Sequence, residues 1–382
     1  MRLKENKGIT LIALVITIIV LLILAGVSIA TLAGEHGILT QANNAKERTE
    51  KAKEEEEGIL DRYNEFIEEK VGNSGGSIQG TEDTKPYLPE GSTVIEDNLS
   101  NGVVIKDKNN NEWAWVEVPK SIFAAASSNT DFTNIENDMI TYASNYRQSG
   151  YTDSYYEGNG TSSETEYNSL KNKMLSSIYT NGGFWISRYE IGTDTLRTSS
   201  SDTLTTPVSK QDMYVYNYVT VSQAQSLASD MNPTTNKTTS LIFGIQWDLT
   251  MKYIESKGGK TQAELRGSSE SWGNHAASTF NIAKGKYSSN NGSTYTQVSG
   301  IYTIPGGSAI LLTTGATERN SVLNIYDLAG NVWELTIEKS SSSNVSSGRG
   351  GGNSGPNYPA GYRTPYTPTS AGGGLGFRTT LI

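Results

Sequence analysis

The sequence predicts an α+β protein in which a long N-terminal helix precedes an irregular, strand-rich head. Three observations predict this class. No residue from Ile9 to Ala33 is charged. Residues 42–70 then place apolar side chains at helical spacing within a charged background. From about Ser92, short strand-like segments alternate with clusters of Asn, Gly and Ser.

Composition narrows the chemistry that the chain can perform. Its 382 residues exceed the length at which one core keeps growing, so we expect a large domain plus accessory segments. Cysteine is absent, which excludes disulfides and thiolate chemistry, and the two histidines, His36 and His275, lie in segments that we do not expect to meet. The net charge of -9, without a Lys/Arg stripe, argues against nucleic acid as a partner.

The uncharged segment 9–33 is long enough to cross a membrane, since such a helix spans roughly 37 Å. Basic residues precede it, so the positive-inside rule places the N-terminus in the cytoplasm and the head outside the cell. A secretory signal peptide cleaved after Ala30 or Ala33 is the alternative interpretation, with an unusually long apolar region.

The start of this segment, Lys7-Gly8-Ile9-Thr10-Leu11-Ile12, resembles the cleavage site of type IV prepilins. The resemblance implies that a prepilin peptidase removes the leader, residues 1–8, by cutting between Gly8 and Ile9. It also implies contacts with other pilin subunits. Pilins usually carry a glutamate five residues into the mature chain, where it pairs with a neighbour's N-terminal amine, and here that position is Ala13. This departure favours a minor or membrane-resident role over that of a major subunit.

Residues 9–71 are therefore predicted to form the transmembrane and stem helix, and residues 72–91, rich in Gly, Ser and Thr, to form a linker. The head is predicted to comprise residues 92–382. Within it, amphipathic helices are expected only near 222–231 and 247–256.

Four segments of the head resemble, in order, the formylglycine-generating (sulfatase-modifying) enzymes, whose fold is a variant of the C-type lectin fold. The segments are Trp113–Pro119, Gly183–Ile191, Ile242–Asp248, and Tyr326–Leu335 with its Gly-Asn-Val-Trp-Glu motif, followed by Arg349-Gly350-Gly351 and the closing Gly376-Phe377-Arg378. The resemblance implies two strands, the start of a helix, and a C-type lectin-like head. Residues 121–181, rich in Tyr, Ser and Asn, are an insertion whose structure the sequence does not predict.

The resemblance does not extend to catalysis. Formylglycine enzymes work through paired cysteines, and their sulfoxide-synthase relatives through an iron held by three histidines, which this chain does not have. His275 lies in a segment matching a Trp-Gly turn of the family, which argues against a Ser-His-Asp triad. We therefore predict no catalytic residues and no enzymatic activity.

We expect the large aromatic and arginine side chains of these motifs to have structural roles. We predict that Trp333 and Phe377 pack in the core. Arg349 and Arg378 are expected to form ion pairs with Glu334 or Glu190.

Calcium is the one cofactor that the resemblance implies. Relatives bind it through the segment matching 327–334, so the Asp327 and Glu334 carboxylates, with backbone oxygens of Gly330 and Val332, would supply hard oxygen ligands. The alternative is a carboxylate pair hydrogen-bonded to backbone amides.

The C-terminal region has the composition of an adaptable binding surface. Between residues 340 and 382 the only charged side chains are three arginines, and Tyr, Ser, Gly and Asn are abundant. Residues 353–370 contain only amino acids that adenine randomisation of AAC codons can produce, which is compatible with diversification by a retroelement. The predicted ligand-binding residues are Asn353, Asn357, Tyr358, Tyr362, Arg363 and Tyr366.

These observations favour a surface-displayed, non-enzymatic binding protein: a minor pilin or a pilin-anchored adhesin. It would reside in the cell membrane, through residues 9–33 and with an extracellular head, or in a surface pilus. Its ligand would be a protein or a glycan that the sequence does not identify. The alternative is a structural pseudopilin of a type II secretion-like or DNA-uptake machine, in which the head only shapes a fibre.

Overall fold

The computed structural model describes residues 15–24, 46, 49, 86–231, 237–343 and 345–382. The chain divides into two compact units, Met1–Gly75 and Gly76–Ile382. In the first unit, residues 15–24 form a helix with exposed side chains.

Most of the predicted N-terminal architecture lies outside the described residues. This holds for the cleavage site at Gly8 and Ile9, for the ends of the predicted membrane segment, for nearly all of the stem, and for linker residues 72–85. Within the part of the chain that the structure describes, no helix is long and apolar enough to cross a membrane. The pilin-like helix therefore stays a prediction.

The second unit has the mixed α+β character that the sequence predicts, and strands predominate. Its strands are β1 (Thr93–Glu96), β2 (Val104–Lys106), β3 (Glu112–Glu117), β4 (Tyr151–Thr152), β5 (Gly183–Ser187), β6 (Gly192–Thr193), β7 (Tyr214–Val215), β8 (Thr239–Leu241), β9 (Phe280–Ile282), β10 (Lys286–Ser288), β11 (Thr296–Gln297), β12 (Tyr302–Ile304), β13 (Leu311–Leu312), β14 (Ser321–Val322), β15 (Ile325–Tyr326), β16 (Trp333–Ser340), β17 (Ser346–Arg349), β18 (Arg363–Tyr366), β19 (Leu375–Phe377) and β20 (Thr379–Leu381). Its α-helices are α1 (Phe132–Tyr142), α2 (Glu164–Asn181), α3 (Val221–Asp230), α4 (Gly244–Lys257) and α5 (Gln262–Arg266).

An antiparallel six-stranded sheet, in the order β1-β2-β3-β5-β20-β8, joins the two ends of this unit. The predicted strands at 113–119 and 183–191 are confirmed as β3 and β5, which pair with Trp115 opposite Trp185. These two indole rings pack edge to face at 5.0 Å between centroids. Cross-strand aromatic pairs stabilise the register in which they lie opposite each other, so these tryptophans favour the observed pairing of β3 with β5.

The helices predicted near 222–231 and 247–256 are confirmed as α3 and α4. A capping box between Thr220 and Gln223 starts α3. Helix α4 begins at Gly244, within the segment predicted to start a helix.

The expectation that the head has only these two amphipathic helices is wrong, because the predicted insertion 121–181 contains α1 and α2. The Ser163 side chain caps α2 by accepting from the Glu166 N–H, and the helix ends at Gly182 in the left-handed conformation, with φ of 68°. Four side chains of α2 join the main hydrophobic core: Tyr167, Met174, Leu175 and Ile178. The segment is thus an integral part of this unit.

A second sheet carries the motifs of the C-terminal region. Its strands run in the order β18-β17-β16-β19, and β4 also pairs with β16. Strand β16 pairs antiparallel with β17 and parallel with β19, so that Glu334 lies opposite both Arg349 and Gly376. Strand β18 lies at the outer edge, with Arg363 opposite Arg349. This arrangement brings residues 333–340 and 346–377 together.

Candidate functional site

Four aromatic side chains lie close together on the second sheet and on the loop that joins β17 to β18. This aromatic cluster consists of Trp333, Tyr358, Tyr362 and Tyr366. The Trp333 ring lies 5.1 Å from that of Tyr358, 5.8 Å from that of Tyr362 and 6.3 Å from that of Tyr366, between centroids. The rings of Tyr358 and Tyr362 lie 4.8 Å apart. All four are within the range of favourable aromatic pairing.

The aromatic cluster faces solvent. Tyr362 is 41% exposed, and the other three rings are half-buried. The expectation that Trp333 packs in the core is therefore wrong, whereas Phe377 is fully buried, as predicted. Tyr366 also packs against the main core, and burial, followed by the nearby Tyr358, raises its pKa to about 12.

Glycines make room for the rings. A Cβ atom on Gly355 would lie 2.3 Å from Cδ2 of Tyr358, and one on Gly348 would lie 2.6 Å from Cε2 of Tyr366. Gly351 needs the left-handed φ of 81°, and a Cβ there would lie 2.6 Å from that of Tyr358. The glycine-rich composition of this region thus has a local purpose, which is close approach of backbone and aromatic rings.

The polar atoms of the aromatic cluster are free to bind a ligand. Neither the indole N–H of Trp333 nor the hydroxyls of the three tyrosines have a hydrogen-bond partner within the described ranges. None of these four atoms belongs to the fully buried polar atoms that are left without a partner. They are thus hydrogen-bond donors at the surface.

Beneath the sheet lies a buried ion network of three arginines and three carboxylates. Its members are Arg147, Asp153, Asp248, Glu338, Arg349 and Arg363. Arg363 donates to both carboxylate oxygens of Asp248, at 2.6 and 2.7 Å, and to Glu338 at 3.0 Å. Arg349 lies 2.9 Å from Asp248 and 3.2 Å from Glu338. With three charges of each sign, the network is formally neutral.

The network joins the predicted insertion to the C-terminal sheet. Arg147 lies 3.2 Å from Asp153, 3.3 Å from Asp248 and 3.5 Å from Glu338. Asp153 in turn accepts from the backbone N–H groups of the first residues of α4, at 2.7 and 2.9 Å. A carboxylate at this position satisfies orphan amides and complements the helix dipole. Sequence reasoning did not identify these acids, because their partners are distant in the chain.

Burial alone would raise the pKa of the Glu338 carboxyl. The guanidinium groups of Arg363, Arg349 and Arg147 outweigh this effect and lower that pKa to about 2. Glu338 is therefore ionised at all physiological pH values and is the centre of the network.

The structure separates the six predicted ligand-binding residues into two groups. Tyr358, Tyr362 and Tyr366 belong to the aromatic cluster, and Asn357 is exposed in the same loop. Two do not lie at the surface: Asn353 is 2% exposed and Arg363 is 5% exposed. A direct ligand contact does not fit the burial of either residue. Arg363 instead anchors the edge strand β18 from below, through the buried ion network.

The other arginines of the C-terminal region are also buried in ion pairs. Arg378 donates to both carboxylate oxygens of Glu334, at 2.7 and 2.8 Å, as predicted. Arg349 pairs with Asp248 and Glu338, so its predicted pairing with Glu334 or Glu190 is wrong. No described charged side chain between residues 340 and 382 is exposed.

The two carboxylates predicted to bind calcium, those of Asp327 and Glu334, are both engaged by protein groups. Arg378 takes both carboxylate oxygens of Glu334. Asp327 accepts from the Gly315 N–H at 2.8 Å and from Asn320 at 3.3 Å. Burial raises the pKa of Asp327 to about 6, so this carboxyl is still mainly ionised near pH 7.

The prediction names the backbone oxygens of Gly330 and Val332, whereas the hydrogen bonds described for these two residues involve their N–H groups. The Gly330 N–H donates to Gly350, and the Val332 N–H donates to the buried carboxylate of Glu190. Within the described ranges, no group of three or more His, Asp or Glu side chains is placed to hold a metal ion. Asp327 thus accepts from a backbone amide, as the alternative predicts, whereas Glu334 is held by the Arg378 side chain.

His275 is buried beside the loop that carries the aromatic cluster. It is 1% exposed, and neither ring nitrogen makes a well-formed hydrogen bond to a described residue. A Cβ on Gly351 would lie 3.4 Å from its Cε1 atom. Burial lowers its pKa to about 4, so the ring is neutral near pH 7. His275 has no partner of the kind that a catalytic triad requires.

Four surface cavities lie away from the aromatic cluster. The largest has a volume of about 980 Å³ and lies along the polar face of α2, beside Tyr87 and Lys237. The others are lined by residues of α2 and α3, of segment 204–210, and of the β4–β16 pair. None of these four is lined by residues 353–370.

Comparisons with known proteins assign no family. No family model matches the chain, and no curated protein matches it. Among solved structures, it is similar to Treponema denticola variable protein 1 at 14% identity and a TM-score of 0.23, over 78% of this chain and 99% of that one. That TM-score is too low to define a shared fold, so the function must be inferred from this chain's own residues.

Proposed function

We propose that this chain is a surface-displayed, non-enzymatic binding protein whose aromatic cluster contacts the ligand. The observation that carries the proposal is the cluster itself: one exposed and three half-buried aromatic rings, on a sheet and its adjoining loop that the buried ion network holds from below. Rigid aromatic side chains lose little rotamer entropy on binding and are enriched at binding hot spots. The glycines that pack against the rings and the arginines of the buried ion network hold the rings in place before the ligand binds.

The absence of exposed charged side chains from residues 341–382, apart from the undescribed residue 344, supports the same proposal. All three arginines between residues 340 and 382 are buried in ion pairs, so the surface there is neutral and amphipathic. Such a surface suits contact with another macromolecule rather than a charged small metabolite. Catalysis gains no support from the buried, unpaired ring of His275.

The finer parts of the proposal rest on sequence resemblance. We infer a C-type lectin-like head from the Gly330–Glu334 and Gly376–Arg378 motifs. We infer a prepilin-like anchor from the segment around Gly8, with pilin subunits and a prepilin peptidase as partners and the cell membrane or a pilus as the location. A structural pseudopilin has no specific observation in its favour among the described residues.

Retroelement diversification, if it acts on residues 353–370, should spare the positions that the fold needs. Arg363 and Asn353 are buried, whereas Asn357, Tyr358 and Tyr362 face solvent. Sequencing this gene across related isolates tests the idea. Changes concentrated at the exposed positions, with Arg363 constant, are expected, and equal variation at all positions would contradict it.

The binding function is tested by probing glycan and peptide arrays with the full-length protein and with Tyr358→Ala/Tyr362→Ala. The matched control is Tyr302→Ala, because Tyr302 is a half-buried tyrosine that stacks on Tyr287 in another part of the unit. We expect a signal that the double variant loses and the control keeps. A signal equal in all three proteins would refute the assignment of binding to the aromatic cluster.

A further inference from the structure

We propose that the ligand of the aromatic cluster is a proline-rich protein segment in the polyproline II conformation, an inference that rests on the binding function proposed above. A polyproline II segment has apolar pyrrolidine rings on its surface and backbone carbonyls without internal hydrogen bonds. The partner surface must therefore supply aromatic contacts and hydrogen-bond donors together. Both are present here.

The four rings are tilted relative to one another and do not form one flat surface. The planes of Trp333 and Tyr358 meet at 53°, those of Trp333 and Tyr362 at 55°, and those of Trp333 and Tyr366 at 70°. Tyr358 and Tyr362 are tilted by 42°. Successive prolines of a three-residue helical repeat can pack between rings tilted in this way. A flat sugar ring stacks best on a single open aromatic face.

The polar atoms of the cluster also match this ligand. Its indole N–H and three hydroxyls can all donate hydrogen bonds. Proline residues contribute carbonyl acceptors and no N–H donor, so a proline-rich backbone needs donors and nothing else. Donors placed on aromatic rings satisfy both requirements from one side chain.

A neutral glycan, the competing ligand class, has hydroxyl groups that both donate and accept. Carboxylates are the acceptors best suited to such donors. The two carboxylates of strand β16 nearest to the cluster in sequence, Glu334 and Glu338, are buried and taken by arginines. Acceptors of this kind are therefore not offered to a sugar by β16.

Charge supports the same choice. The exposed side chains of residues 350–370 are all uncharged, so an acidic or basic ligand finds no counter-charge there. A proline-rich segment is preorganised and loses little conformational entropy on binding, so that a few aromatic contacts can suffice.

The experiment uses the full-length protein in detergent micelles and a dye-labelled decaproline peptide, read by fluorescence polarisation. We expect a dissociation constant on the order of 100 µM, weakened about tenfold or more in Tyr358→Ala/Tyr362→Ala. Tyr358→Phe/Tyr362→Phe keeps the rings and removes two donors, so it should weaken binding by an intermediate factor. Tyr302→Ala should bind like the wild type.

Parallel probes separate this inference from the proposed function. A labelled Gly-Ser decapeptide should not bind, since it has neither proline rings nor a fixed conformation. Uncharged oligosaccharides that bind in place of decaproline, with sensitivity to Tyr358→Ala/Tyr362→Ala, would overturn the inference and leave the proposed function standing. Decaproline that binds all variants equally would also overturn it. If no probe binds and the arrays are equally silent, both fall.

Discussion

Replacing Glu338 by Gln should be the most damaging single change to the support of the aromatic cluster. Glu338 lies within 3.5 Å of three arginines: Arg147, Arg349 and Arg363. The substitution leaves three positive charges, of which those of Arg349 and Arg363 are buried, against two negative ones, Asp153 and Asp248. An uncompensated charge in a buried network typically costs about 3–5 kcal/mol.

The size of the Glu338 pKa shift gives a free energy of similar magnitude. Its folded-state pKa of about 2 lies below the unfolded value of about 4.3. The ionised carboxylate therefore stabilises the fold above the unfolded pKa, and this contribution is lost as the pH falls through about 2. At about 1.4 kcal/mol per pH unit, the contribution is about 3 kcal/mol.

The assay is thermal unfolding of the full-length protein at pH 7, followed by circular dichroism. Glu338→Gln should lower the melting temperature by roughly 5–8 °C, whereas Glu157→Gln, an exposed glutamate without a described ion pair, should leave it unchanged. The double variant Glu338→Gln/Arg349→Gln restores charge balance and should recover part of the loss. If the melting temperature of Glu338→Gln equals that of Glu157→Gln, the buried ion network does not stabilise this sheet.

Three further predictions concern other parts of the chain. Burial lowers the folded-state pKa of His275 to about 4, below the unfolded value of about 6.5, so the contribution of the neutral ring to stability is lost as the pH falls through this window. The difference in unfolding free energy between the wild type and His275→Gln should therefore shift by about 3 kcal/mol between pH 7 and pH 4. Urea titrations measure this difference, and a value that stays constant between the two pH values would contradict the prediction. Because Arg378 takes the carboxylate oxygens of Glu334, calcium and chelator should give equal melting temperatures; a rise in calcium that Asp327→Asn abolishes would instead support the site predicted from the sequence. Intact-mass measurement of membrane-extracted protein should show an N-terminus at Ile9, and one at Thr31 or Gly34 would exclude the prepilin interpretation.

The fold was predictable where the signal is local. Strands β3 and β5 could be predicted because each contains tryptophan within a short apolar run. Helix α2 was missed because Asn, Ser and Thr cover its outer face and weaken its periodicity. Its signals were present, however: Ser163 as N-cap, Gly182 as C-cap, and core side chains from Tyr167 to Ile178 at helical spacing.

The candidate site was predictable in composition and not in placement. Tyrosines among Gly, Pro and Ser indicated a binding loop, and Tyr358 and Tyr362 do face solvent. The burial of Arg363 depends on Asp248, which lies 115 residues away in sequence, so no local pattern could indicate it. Trp333 was assigned to the core because it is a large aromatic residue, but its ring is half-exposed although its chain neighbours Val332 and Glu334 are buried.

The measurement that tests the account most directly compares binding with stability in Tyr358→Ala/Tyr362→Ala. Because Tyr362 is exposed and Tyr358 is only half-buried, the double variant should lose binding to the array-identified ligand while its unfolding free energy falls by less than about 1.5 kcal/mol. Phe377→Ala, which removes a fully buried ring, sets the scale for a core residue at about 3–5 kcal/mol. A double variant that is destabilised as strongly as Phe377→Ala, yet still binds in its folded fraction, would show that these tyrosines are core residues and that recognition lies elsewhere.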